Sequence, residues 1–342
     1  MMRGERGQRW RGHPRARREV WRLGALAVAC LLLAGCMGAA SGNAALPAHA
    51  REVSLLIPHA LTTPTPATPP GAGLAAIEPP PPSGATAVYL LNPDTRGVYV
   101  QQNADNIRAQ ASTTKMMTAL VAVGTLPLET RITIGPDIVL PASFNASVAG
   151  LRVGDVLTLR ELLYALLLPS GDDAAIAIAD GVAGSQASFV QLMNAQASQL
   201  GLTHTHYANV HGLDNPLQYS SARDLALLAA RALDEPAIAT IVATPTLDLP
   251  ATADHAAYTF KTTNRLLTDY AYPGVIGVKT GFTDNAGHCL VFAAITPQGR
   301  LIGVVLNEPD DPARFVDARA LLDWGFALEW RLRASRYLQR AG

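Results

Sequence analysis

The sequence predicts an α/β chain of the α+β type: one antiparallel sheet flanked by helices and interrupted by an inserted all-helical region. Three observations carry this reading. Strand-like runs lie near residue 87 and again between residues 274 and 307, helical periodicity fills the stretch between them, and the connections carry turn and cap residues. Of the 342 residues 49% are hydrophobic, enough for a sizeable core and too many for a disordered chain.

The elements follow in order. Ala-Val-Tyr-Leu-Leu and Gly-Val-Tyr-Val-Gln flank Asn92-Pro93-Asp94-Thr95-Arg96, a hairpin by its turn chemistry. Ser112 to Gly124 reads as a short helix, with a hydroxyl at its start and glycine at its end. Leu157 to Leu168 is a very apolar helix, broken by Pro169-Ser170-Gly171. Asp172 to Val182 restarts as an Ala-rich helix, so a polar loop sits between two buried helices. Ser185 to Leu200, with Gly201 behind it, and Ser221 to Leu233, with Asp224 three residues in, are amphipathic helices with cap signals. The period then changes: Gly274 to Thr280, Cys289 to Thr296 and Leu301 to Asn307 read as strands, the last two joined through Pro297-Gln298-Gly299-Arg300. A final helix spans Asp311 to Leu332, and no internal repeat is present.

Ahead of the domain, residues 1–22 are rich in arginine and Leu23 to Gly35 form an apolar run too short to span a bilayer as an ordinary helix. The run ends Leu33-Ala34-Gly35-Cys36, which resembles the lipobox of bacterial lipoproteins and makes Cys36 the candidate lipidated residue; an ordinary cleaved signal or an uncleaved anchor are the alternatives. Residues 37–84, rich in Ala, Pro and Thr, read as an extended spacer that does not pack. The expected organisation is a signal over 1–36, a linker over 37–84, a folded domain over 85–335 and a tail over 336–342. The implied location is extracytoplasmic, anchored to the membrane through the N-terminus or secreted.

Composition narrows the function. Lys plus Arg and Asp plus Glu both total 27, so no global field argues for nucleic acid. Cys30, Cys36 and Cys289 fit neither a disulfide framework nor a zinc site, and His and Cys do not cluster at ligand spacing; no metal or organic cofactor is implied. The lysines are Lys115, Lys261 and Lys279, every other basic residue being arginine. An amine can be neutralised by desolvation and a guanidinium effectively cannot, so lysine among arginines invites acid/base chemistry.

Two of these lysines fall in suggestive settings. In Ser112-Thr113-Thr114-Lys115 the serine and lysine share one helix face, where an amine can take the hydroxyl proton. The backbone amide of Ser112 points outward at the helix start, where it can hold an oxyanion. Ser170-Gly171-Asp172 is a polar triplet on a loop, suited to proton relay or simply to capping the next helix. Lys279-Thr280-Gly281 ends a strand: Lys279 can attract a carboxylate and Gly281 lets a substrate strand approach, although a lone edge lysine also discourages aggregation.

Taken together and in this order, the three motifs resemble the penicillin-recognising active-site-serine enzymes, and more closely the low-molecular-mass D-alanyl-D-alanine carboxypeptidases. The similarity covers roughly Ala85 to Leu332. It extends to His211-Gly212-Leu213-Asp214, Tyr219-Ser220-Ser221-Ala222-Arg223-Asp224, Thr263-Asn264-Arg265-Leu266-Leu267, Lys279 to Thr283 with Ala286-Gly287, and Leu321-Leu322-Asp323-Trp324-Gly325-Phe326. The resemblance implies a β-lactamase/DD-peptidase-like fold, peptidoglycan stem peptides as substrate and β-lactams as covalent inhibitors. It makes Ser112 the nucleophile, Lys115 its base and Ser170 the relay to the leaving D-alanine. Lys279 and Thr280 bind the terminal carboxylate with Arg314 adding positive charge, and the amides of Ser112 and Phe282 form the oxyanion hole.

One position departs from the family: Asp172 stands where asparagine is usual. An ionised carboxylate only accepts hydrogen bonds and tends to keep a neighbouring lysine charged. Asp173 then caps a helix while Asp172 takes part in the chemistry. Lys261 matches no family motif and reads as a surface residue. The alternatives are a serine β-lactamase, for which Glu235 is the only glutamate between the second and third motifs, a DD-endopeptidase on the same residues, and a peptidoglycan binder whose activity Asp172 has impaired.

Overall fold

The computed structural model describes residues 78–140 and 145–341. The candidate signal and Cys36 therefore lie outside the described residues. The first hairpin is β1 (Ala87–Asn92) and β2 (Gly97–Gln102), closed where Asn92 Oδ1 accepts from the amides of Asp94 and Thr95 at 2.9 and 3.1 Å. A 3-10 turn, Ala111–Thr114, runs straight into α1 (Lys115–Thr125). Two short strands, β3 (Arg131–Thr133) and β4 (Val156–Thr158), pair with each other. The helical region continues with α2 (Leu159–Leu167), α3 (Asp172–Ala183), α4 (Gln186–Gln199), α5 (Ala222–Leu233) and α6 (Pro236–Val242). A second small ribbon follows, β5 (Thr246–Leu249) with β6 (Tyr258–Lys261). The chain closes with β7 (Val275–Thr283), β8 (Gly287–Thr296), β9 (Gly299–Glu308) and the long α7 (Asp311–Ala341).

The main sheet has the order β2-β1-β9-β8-β7, with every pair antiparallel. Strands from the two ends of the domain therefore meet at the β1–β9 seam, where Leu90 faces Gly303. Successive side chains feed two cores, as period-2 alternation requires. Tyr89, Leu91, Val291, Ala293, Ile302 and Val304 face the helical region, while Val88, Leu90, Leu290, Phe292, Leu301 and Val305 face α7. Burial on both faces explains why β8 and β9 read as nearly continuous apolar runs. At the seam, a Cβ on Gly303 would lie 2.1 Å from the ring of Phe292, so glycine is what lets that ring lie over β9 on the α7 face.

Several boundaries differ from the sequence reading. Leu157 belongs to β4 and not to the helix, which starts after Thr158. Thr158 is an N-cap, and with Glu161 it forms a reciprocal capping box. The α7 helix runs on to Ala341, past the expected end at Leu332 and through the expected tail. The end of the expected spacer packs: Trp324 Nε1 donates to the Glu78 carbonyl at 2.9 Å and the Gly84 amide to Asp317 Oδ2 at 3.0 Å. Among the described residues no helix is long and apolar enough to cross a membrane.

Candidate active site

Ser112 sits in the 3-10 turn, one turn ahead of the Lys115 side chain that opens α1. The turn begins at Ala111 with φ at 47°, a strained value for a residue with a side chain, and two glycines hold it there. A Cβ on Gly212, itself at φ +102°, would stand 2.0 Å from the Ala111 carbonyl oxygen. One on Gly281 would stand 3.0 Å from Ala111 Cβ and 3.2 Å from the Ser112 nitrogen. The 209–214 loop and β7 thus close on the nucleophile turn from two sides.

Lys115 Nζ is the hub of the site. It lies 2.8 Å from Ser112 Oγ, 2.5 Å from Asp172 Oδ1 and 2.7 Å from the His211 carbonyl oxygen. The amine is fully buried; burial pulls its pKa down, while the Asp172 carboxylate pushes it back up. The His211 ring, beside the same amine, is driven down to about 4 by burial first and then by the Lys115 charge, so it is neutral at physiological pH. Thr118 Oγ1 donates to the Val210 carbonyl at 2.6 Å, tying α1 to the loop that supplies His211.

Ser170 ends the link between α2 and α3 with φ at 68°; its side chain is buried and its Oγ has no hydrogen-bond partner in the described structure. Across the cleft, Lys279 is equally buried and donates to the Thr280 carbonyl at 2.9 Å. Burial, then the charges of Lys115 and Arg314, push its pKa well below the usual lysine range. Thr280 Oγ1 shares a 2.6 Å hydrogen bond with Thr263 Oγ1. Arg314 donates to the carbonyls of Gly281 and Cys289 at 2.9 and 3.1 Å and also to Asp311, so most of its guanidinium is committed to bracing β7 and β8. Phe282 is 47% exposed and stacks on His288 with centroids 4.4 Å apart.

These groups surround an open cavity of about 690 Å³ lined by Ser112, Ser170, Thr280, Gly281, Phe282 and Arg314, among others. Lys115 and Lys279 lie behind that lining, reaching the cavity through Ser112 and Thr280. Further lining comes from residues that the sequence reading gave no role: Asn145, Ser147, Asn209, Asp214, Thr263 and Asp284. His211 to Asp214 and Thr263 fall within the stretches quoted for the resemblance, which was the available signal for them. Asp173 does not simply cap α3. Its carboxylate accepts from the amides of Ala149, Gly150 and Leu151 as well as Ala174. Among the described residues no group of His, Cys, Asp and Glu could hold a metal ion.

A family model described as D-alanyl-D-alanine carboxypeptidase, peptidase S11, matches residues 75–310. The chain belongs to that family. The S11 domain is 40% identical over 259 residues to a D-alanyl-D-alanine carboxypeptidase of Streptomyces sp. (strain K15), a match covering 71% of this chain and 88% of the relative. It is 38% identical to the D-alanyl-D-alanine carboxypeptidase DacC of Escherichia coli (strain K12), covering 71% of this chain and 61% of that protein. The crystal structure of the Streptomyces K15 DD-transpeptidase superposes with a TM-score of 0.68 at 38% identity, over 72% of this chain and 99% of that one. The fold is therefore the DD-peptidase fold, a five-stranded antiparallel sheet with flanking helices and a helical region.

Proposed function

We propose that this S11 domain removes the terminal D-alanine from peptidoglycan stem peptides through an acyl-enzyme on Ser112. The observation that carries the reading is the 2.8 Å approach of a fully buried lysine amine to a serine hydroxyl that opens onto the cavity. Burial favours the neutral amine, which is the form able to accept the Ser112 proton. Ser112 Oγ attacks the penultimate carbonyl, and the amides of Ser112 and Phe282 hold the oxyanion. Ser170, whose hydroxyl has no other partner among the described residues, passes a proton to the leaving D-alanine amine. Water then releases the shortened peptide from Ser112.

The terminal carboxylate docks at Lys279 and Thr280, with Gly281 leaving room for the peptide to lie close to β7. Lys279 has no carboxylate in salt-bridge contact among the described residues, and burial opposes its charge. An arriving carboxylate supplies a counter-ion and favours the ammonium form. Arg314 acts through β7 and contributes positive potential. Asp172 holds Lys115 by a charged contact and opposes its deprotonation, so it tunes the base. A β-lactamase reading is disfavoured because Glu235 pairs with Arg231 at 2.5 Å at the start of α6 and is absent from the cavity lining.

The reading places the enzyme outside the cytoplasm, anchored through its N-terminal segment, with β-lactams as covalent inhibitors. The test is labelling by a fluorescent penicillin together with D-alanine release from a pentapeptide. Wild type should show both and Ser112→Ala neither; equal labelling of the two proteins overturns the assignment. The same acyl-enzyme can pass to an amine acceptor, a second outcome favoured by the likeness to the K15 DD-transpeptidase. Adding an amine acceptor and separating the hydrolysed from the transferred product measures its share.

A further inference from the structure

We infer that Asp173 is a positioning residue for this reaction, fastening residues 145–151 as a wall of the cleft that the Lys-Thr-Gly strand also lines. The inference rests on the proposed reading of the site and extends it to a residue outside the three motifs. The observation is a carboxylate, 3% exposed, held by four backbone amides. Asp173 Oδ1 accepts from the amides of Ala149 at 2.8 Å and Ala174 at 2.9 Å, and Oδ2 from those of Gly150 at 2.9 Å and Leu151 at 3.0 Å. One further bond runs alongside, from the Asp172 amide to the Ser147 carbonyl at 2.7 Å. The backbone entering α3 is thereby stitched to the segment from both sides.

Among the described residues, the segment's apolar anchoring is limited to Leu151 and partly Ala149. Residues 145–151 form no helix or strand, and only Leu151 is buried; Asn145, Ser147, Val148 and Gly150 are exposed. Hydrophobic burial therefore anchors only the end of the segment, and charge-assisted hydrogen bonds add to that hold. The junction is close-packed: a Cβ on Gly171 would lie 2.6 Å from Asp173 Oδ1 and 2.9 Å from Ala149 Cβ. What the segment presents to the cavity is Asn145, Ala146 and Ser147, which line it together with Thr280 to Asp284. A peptide lying along β7 meets this wall, whereas a small acylating agent confined to Ser112, Lys115 and Thr280 does not depend on it.

The carboxylate is specific to the task. It offers two oxygens, each able to accept two hydrogen bonds, which matches the four donors. Asparagine keeps the shape but presents an NH2 group to two of those amides, setting donors against donors. Asp173→Asn should therefore loosen the wall without emptying the core.

The experiment compares wild type, Asp173→Asn, Asp173→Glu and Asp173→Ala by steady-state kinetics on a pentapeptide, by acylation with a small penicillin, and by hydrogen exchange of amides 149–151. Asp173→Asn should raise the peptide KM by about tenfold, the factor expected when charged hydrogen bonds are lost. Its kcat and penicillin acylation should change far less, protection at amides 149–151 should fall, and Asp173→Glu should recover part of the KM. Unchanged exchange at 149–151 overturns the inference, as does a proportional fall of acylation, kcat and Tm in both Asp173→Asn and Asp173→Ala. The exchange measurement does not depend on catalysis. Failure of wild type to acylate would instead overturn the proposed function and leave the pinning judged on its own readout.

Discussion

At Lys115 two forces compete over one proton. Burial favours the neutral amine and the Asp172 carboxylate, 2.5 Å away, favours the ammonium. The groups facing the amine are Asp172 and Asp173 from α3, the neutral His211 from the loop, and Lys279 from β7, whose charge burial opposes. Removing the carboxylate takes away the force that holds the proton, so the Lys115 pKa falls and the neutral base is present at lower pH. Asp172→Asn should therefore move the acidic limb of the kcat/KM profile to lower pH and raise the rate severalfold near pH 6. A profile that drops without moving would show that Asp172 is needed for something other than tuning. Lys115→Arg tests the same chemistry from the other side. A guanidinium keeps the charge and cannot give it up, so acylation should fall by about 10²–10⁴-fold, the usual contribution of a general base. Stopped-flow penicillin binding reads it directly.

The elements matter through how closely they approach the nucleophile turn. Gly212 brings the 209–214 loop against Ala111, and Gly212→Ala would combine an unfavourable φ of +102° with a 2.0 Å clash on the Ala111 carbonyl. We expect a loss of about 1–3 kcal/mol with labelling of Ser112 reduced further than stability alone accounts for, checked by denaturant melts beside penicillin labelling. Much of this architecture was legible in the sequence because its signals were long or repeated. The three strands β7 to β9 carry nine or ten residues each and are buried on at least one face, and α5 carries Ser221 and Asp224 at capping distance. The short ribbons were not legible: β3, β4, β5 and β6 run for three or four residues, too few periods of alternation to separate a strand from a loop or, at Leu157, from the helix that follows. The motif residues were legible only as an ordered set, since each triplet alone had a structural explanation. The 145–151 wall was not, because polar pins rather than hydrophobic periodicity position it; the sequence set Asp172 apart for the chemistry, yet nothing in it shows that Asp173 holds a distant loop as well as α3.

At the scale of the whole domain, the segment leading into β1 is locked to the junction of β9 and α7 by a pair of acids. Glu308 ends β9 with its carboxyl fully buried, and its pKa is pushed up to about 7 by burial first and then by a hydrogen bond with Asp317 on α7. Ser83 Oγ donates to Glu308 Oε1 at 3.0 Å and the Gly84 amide donates to Asp317 Oδ2 at 3.0 Å, so residues just before β1 are held where the last strand meets the last helix. For a carboxyl whose folded pKa lies above its ordinary 4.5, the unfolded chain releases the proton first as pH rises. The stability linked to this group is complete below about 4.5 and is lost progressively as pH climbs through about 7, where ionised Glu308 begins to repel Asp317. Glu308→Gln keeps an acceptor for Ser83 and a donor for Asp317 at every pH. The variant should therefore melt about 2–4 °C above wild type at pH 8, a shift equivalent to roughly 1 kcal/mol in a domain of this size, and no higher than wild type at pH 4. Other acids whose pKa desolvation raises, such as Asp180 and Asp224, titrate alike in both proteins, so the difference between the two melting curves isolates this pair. Curves that stay parallel from pH 4 to pH 8 would mean that Glu308 does not hold its proton in the folded state and that the latch works by packing alone.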